Sequence, residues 1–131
     1  MGLRVDLKEK EKGVFLVLLS GSIDTQTYSL LEEKVNPFLK QAKAIIFDMK
    51  DVSYISSMGL SAIFRIKKIL EDSSGTIAII NLQPQVKKVF EIIKVLPEYY
   101  FSTMQEAEKY LDEFLADMQK RELEKGKENN E

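Results

Sequence analysis

Two hydroxyl-rich stretches carry most of the chemistry this chain offers. Ser20-Gly21-Ser22-Ile23-Asp24-Thr25 sets a carboxylate among hydroxyls. Asp51-Val52-Ser53-Tyr54-Ile55-Ser56-Ser57-Met58-Gly59-Leu60 places two adjacent serines ahead of an apolar run. A serine at a helix start has two uses. Its hydroxyl accepts a backbone N–H as an N-cap, and it takes a phosphate where the helix dipole and first-turn N–H groups favour negative charge. To act as a catalytic nucleophile it needs a base, and the sequence has no histidine and no cysteine. Imidazole-driven mechanisms, thiol nucleophiles, disulfides and zinc sites on those ligands are excluded. A phosphoaspartate at Asp48 or Asp51 needs an acidic pair at the end of an earlier strand to hold Mg²⁺, and the chain has Ser20-Gly21 there. The hydroxyl loop resembles a phosphate cradle, but there is no Trp and no second aromatic–glycine loop to hold a flavin. No catalytic residue, metal or cofactor is expected.

The elements that must position these stretches follow from periodicity. The 131 residues, 44% hydrophobic and 31% charged, suit one domain with a real core. Residues 3–8 are apolar at every second position, which predicts an edge strand with one buried face. After a turn at Lys12-Gly13, Val14 to Leu19 is apolar on both faces and belongs inside a sheet; Gly21 is read as its stop. Tyr28, Leu31, Val35, Phe38, Leu39 and Ala42 form a helical stripe that Pro37 interrupts. Ala44 to Met49 is a second buried strand, Lys50 to Ile55 a loop, and Leu60, Ile63, Ile66 and Leu70 the stripe of the next helix. Thr76 to Ile80 is a third buried strand. Pro84 opens a helix with Val86, Val89, Phe90 and Ile93 inward, ended by Pro97. Tyr99-Tyr100-Phe101 reads as a short last strand. Ser102 or Thr103 then caps a long helix with Ala107, Tyr110, Leu111, Phe114, Leu115 and Met118 inward.

This order predicts an α/β fold: a mostly parallel central sheet with an opening β-hairpin and about four helices packed on it. Residues 1–118 form the domain, and 119–131 a charged, disordered tail. The net charge of −2 supplies no field for nucleic acid or an anionic membrane, and the doublets Lys67-Lys68 and Lys87-Lys88 read as solvated helix faces. With no signal-type apolar segment and no spanning stretch, a cytoplasmic location is expected.

Gly21-Ser22-Ile23-Asp24 after a buried strand, then Asp51-Val52-Ser53-Tyr54-Ile55-Ser56-Ser57-Met58-Gly59-Leu60 entering a helix, resembles a STAS domain of the bacterial anti-sigma factor antagonist family. The resemblance spans roughly residues 3–116. It implies a partner switch. The unmodified antagonist binds an anti-sigma factor that is also a serine kinase, phosphorylation of a serine ends the complex, and a serine phosphatase resets it. Carried onto this chain, the phosphoacceptor is Ser57, and Asp24, Ser56, Met58, Gly59, Gly21 and Ile23 belong to the partner surface. The family pattern is Asp-Ser-x-Gly, and here Ser56 stands at the aspartate position. That departure keeps a second function open, a non-switching STAS scaffold or a small-anion or lipid-transport accessory module. The apolar stripe of the last helix also invites a homodimer in which a second subunit covers Tyr110, Phe114 and Met118.

Overall fold

The computed structural model describes residues 2–92 and 100–129, with side chains through residue 124. A five-stranded sheet runs in the order β1-β2-β3-β4-β5, where β1 is Leu3–Glu11, β2 Val14–Ile23, β3 Ala44–Ile55, β4 Thr76–Ile80 and β5 Tyr100–Phe101. β1 pairs with β2 antiparallel, and the other pairings are parallel. The expected mixed α/β sheet with an opening hairpin is the one observed. Gly13, with φ +83°, makes the hairpin turn, and Glu9 and Glu11 flank a register shift in β1.

The helices divide unevenly between the two faces. α1 (Tyr28–Val35), α2 (Ser57–Asp72) and α3 (Pro84–Ile92) cover one face. There Leu31, Val35, Ile63, Ile66, Leu70, Val86 and Phe90 bury themselves against Phe15, Val17, Ile45, Phe47 and Met49. Pro37 ends α1 as expected, and Asn36–Phe38 continue as a single 3-10 turn. The opposite face is covered by α4 (Met104–Asn129), whose Ala107 and Leu111 pack on Val14, Ala44, Ile46, Ala78 and Ile80. Tyr110 is half-buried in this layer, and its hydroxyl lies 2.8 Å from Thr76 Oγ1. Thr103 caps α4, its Oγ1 accepting from Glu106 N at 3.2 Å.

Three expectations differ from the structure. β2 does not stop at Gly21: that residue takes φ +110° at a register shift, and pairing resumes through Ile23. Residues 50–55 are not a loop but the outer half of β3, paired with Ser20 to Ile23. The backbone of the segment expected to be a disordered tail from residue 119 continues α4 to Asn129. Lys, Glu and Arg are good helix formers, and Asp117 pairs with Arg121 one turn on at 3.1 Å. Ile93, Pro97 and Tyr99 lie outside the described residues.

Candidate functional site

The carboxyl ends of β2 and β3 form a ribbon that projects beyond β4, since the last β3–β4 pair is Asp48 with Ile80. Within the ribbon, Ser20 pairs with Asp51, Gly21 with Val52, Ser22 with Tyr54 and Ile23 with Ile55. β1 reaches its base. Leu3 pairs with Gly21, and Ser22 N donates to Gly2 O at 3.2 Å. A Cβ on Gly21 would stand 2.2 Å from that same Gly2 oxygen, so this glycine serves the crossing of two backbones.

Beyond the ribbon the two sequence stretches meet. Ser56 N donates to Ile23 O at 2.9 Å, which ties the start of α2 to the end of β2. Ser56 has extended backbone (φ −92°, ψ 172°), and its Oγ accepts from Gly59 N at 3.2 Å, the N-cap bond. Serine thus performs the capping that aspartate would perform at this position. Ser57 follows as the first helical residue and is exposed; Met58 is half-buried. Gly59 is buried against β2, where a Cβ would lie 2.4 Å from Ile23 O and 2.7 Å from Ile23 Cγ2. Only glycine allows α2 to approach this closely.

On the other side of the junction, Asp24 organises the turn into α1. Its Oδ1 accepts from Gln26 N at 2.9 Å and Thr27 N at 3.1 Å, and its carbonyl accepts from Tyr28 N at 2.9 Å. Thr27 Oγ1 accepts from Asp24 N at 2.9 Å and donates to Ser22 O at 2.7 Å. The half-buried Asp24 carboxylate is therefore held in place rather than swinging in solvent.

Of the residues singled out from sequence, Ser57 offers an exposed hydroxyl, Asp24 and Ser56 are half-buried on the rim, and Met58 stands beside them. Ile23 and Gly59 are buried, so they contribute backbone and fit rather than surface side chains. Sequence reasoning missed two features. Tyr54, outside the set of site residues taken from sequence, is 53% exposed on the ribbon. Gln83 and Gln85, at the start of α3, reach across to β3: Gln83 Nε2 donates to Lys50 O at 2.8 Å and Gln85 Nε2 to Ser53 O at 3.0 Å. Farther along α2, Arg65 lies over the Tyr28 ring and pairs with Glu32, and that hydrogen bond raises the guanidinium pKa. This pairing joins α1 and α2 below the rim.

Among the described residues, no group of His, Cys, Asp and Glu side chains is placed to hold a metal. No helix among them is long and apolar enough to cross a membrane. A groove of about 460 Å³ lies at the opposite end, between α4 and the α2–β4 turn.

The fold and rim define the class. The STAS domain sequence profile matches residues 7–107. The anti-sigma-B factor antagonist of Bacillus subtilis (strain 168) is 30% identical over 92 residues, covering 70% of this chain and 84% of that protein. The anti-sigma factor antagonist SpoIIAA in its unphosphorylated form superposes with TM-score 0.74 at 20% identity, covering 83% of this chain and 96% of SpoIIAA. The phosphorylated form of the Bacillus protein gives TM-score 0.68 at 20% identity, covering 82% and 99%. This chain belongs to the STAS domain family, among its anti-sigma factor antagonists.

Proposed function

We propose that this chain is an anti-sigma factor antagonist that acts by partner switching. Unmodified, it binds an anti-sigma factor that is also a serine kinase, which frees the sigma factor for transcription. The kinase phosphorylates Ser57, the complex parts, and a serine phosphatase restores the binding form. Asp24, Ser56, Met58 and Tyr54 contribute to the contact surface around Ser57. The reaction runs in the cytoplasm and needs no nucleic acid contact by this chain.

The observation that carries this reading is the exposed Ser57 hydroxyl in the first turn of α2, on a junction bonded to the strand that leads into the Asp24 turn. A phosphate there adds a charge of about −1.5 to −2. The helix dipole favours it, so the domain stays folded. At the interface the same charge meets desolvation and the nearby Asp24 carboxylate. A loss of about 3 kcal/mol corresponds to roughly a hundredfold weaker complex, enough for a switch without refolding.

Ser56 in the aspartate position favours a second reading, a STAS scaffold that does not switch. The cap survives the replacement and a rim charge is lost. Incubating the chain with ATP and extract of its host, followed by phosphopeptide mass spectrometry and partner pull-down, separates the two. Phosphate on Ser57 and recovery of an anti-sigma factor support switching. An unmodified Ser57 peptide with a retained partner supports the scaffold.

A further inference from the structure

The ribbon that leads to Ser57 raises a question of hydrogen bonding. Beyond Asp48, the outer half of β3 keeps β2 on one side, while β4 has already ended at Ile80. A strand that loses a neighbour leaves carbonyls in need of donors. Two of them are met by side-chain amides. Lys50 O accepts from Gln83 Nε2 at 2.8 Å, and Ser53 O accepts from Gln85 Nε2 at 3.0 Å. The two amides are also joined to each other, Gln85 Nε2 donating to Gln83 Oε1 at 2.7 Å, which fixes how Gln83 is turned. Asn81 Nδ2 adds a third bond to the same strand, at 3.1 Å from Asp48 Oδ1.

The donors are as well anchored as the acceptors. Gln83 O accepts from Val86 N at 3.0 Å and Lys87 N at 2.9 Å, so the residue that grips Lys50 also opens α3. Pro84 between the two glutamines restricts the backbone at the first helical position. α3 in turn is fastened to the core by Val86 and Phe90.

We infer that Gln83 and Gln85 form a side-chain clamp that stands in for the missing strand and positions the Ser57 junction for its kinase. They are positioning residues: they act through Lys50 and Ser53 on a segment that continues into Ser56 and Ser57. The kinase part of this inference rests on the function proposed above; the clamp itself does not.

The test is the full chain carrying Gln83→Glu and Gln85→Glu together. Each carboxylate keeps the side-chain length but replaces the donating amide with oxygen that only accepts, set against a carbonyl. Hydrogen exchange of amides 50–57 should be about tenfold faster, while exchange of the β4 amides and the melting temperature stay near wild type. The amide NMR signals of Ser57 and Gly59 should move or broaden. KM for phosphorylation by the cognate kinase should rise several-fold with kcat held. Wild-type exchange and signals would overturn the clamp, whatever the kinase does. Faster exchange with unchanged KM would overturn its positioning role. If the wild-type chain takes no phosphate at Ser57, the functional proposal falls, and exchange and NMR alone decide the clamp. Gln85→Glu alone guards against misfolding of the double variant, and it should show the same changes at about half the size on a logarithmic scale.

Discussion

Replacing Gly59 with alanine tests the close approach on which the whole rim depends. The added Cβ would lie 2.4 Å from Ile23 O, roughly 1 Å inside ordinary van der Waals contact. The clash cannot be relieved by a rotamer change, because the oxygen belongs to backbone and already accepts from Ser56 N at 2.9 Å. Ile23 is fully buried and cannot retreat without opening the core. Overpacking of this kind costs about 3 kcal/mol, and alanine's better helix propensity returns up to about 1 kcal/mol. The net loss of about 2 kcal/mol should lower the melting temperature by roughly 5–10 °C in a domain of this size. Moving α2 off β2 also strains the Ser56–Ile23 bond, so partner affinity should fall by more than stability alone explains. Thermal melts followed by circular dichroism give the first quantity and isothermal titration with the partner the second. Ser61→Ala, an exposed change in the same helix, is the control and should stay within about 0.5 kcal/mol. A Gly59→Ala protein that melts with the wild type would refute the packing argument.

Ser57→Asp should melt like the wild type but lose about a hundredfold in affinity for the anti-sigma partner, while Ser57→Ala should bind constitutively; titrations of both check this. Ser56→Ala removes the acceptor for Gly59 N and should cost about 1 kcal/mol in denaturant unfolding. Ser56→Asp should hold that stability and speed phosphorylation by a family kinase, as a single-turnover assay would show. Tyr110→Phe removes the 2.8 Å bond to the buried Thr76 hydroxyl, which keeps only its long bond to Ile77 O at 3.5 Å, and should cost about 1 kcal/mol, with no effect on partner binding.

Much of this architecture was legible in the sequence. The edge strand, the three inner strands, the α2 stripe and the Pro37 stop follow from period and from proline's missing N–H. The outer ribbon was not, because its apolar spacing is irregular. Met49, Val52 and Ile55 are buried, a spacing of three where a regular strand needs two. Gly21 read as a terminator, because a positive-φ glycine inside a bulge has no signal of its own. Ser57 and Ser56 were singled out through the cap pattern and the family resemblance, and the cap is where that pattern put it, whereas Gln83 and Gln85 were passed over. Glutamine near a proline says nothing until β4 is seen to end short of β3. The helical backbone from residue 119 was hidden behind low apolar content, although its Lys, Glu and Arg favour helix.

The two register shifts between β2 and β3 have a joint effect. From Leu18–Asp48 to Ser20–Asp51, and again from Gly21–Val52 to Ser22–Tyr54, β3 uses one residue more than its neighbour. Each insertion is absorbed by a bulge and only changes which sequence parity faces the core, from odd at Met49 to even at Val52 and back to odd at Ile55. Ile55 therefore re-enters the interior on the side of Ile45 and Phe47, and α2 departs toward that side. Excising the one extra residue of either insertion should straighten the strand there and leave Ile55 facing the core. Excising two, one from each insertion, should let a shortened, straight ribbon deliver the serine to the same side.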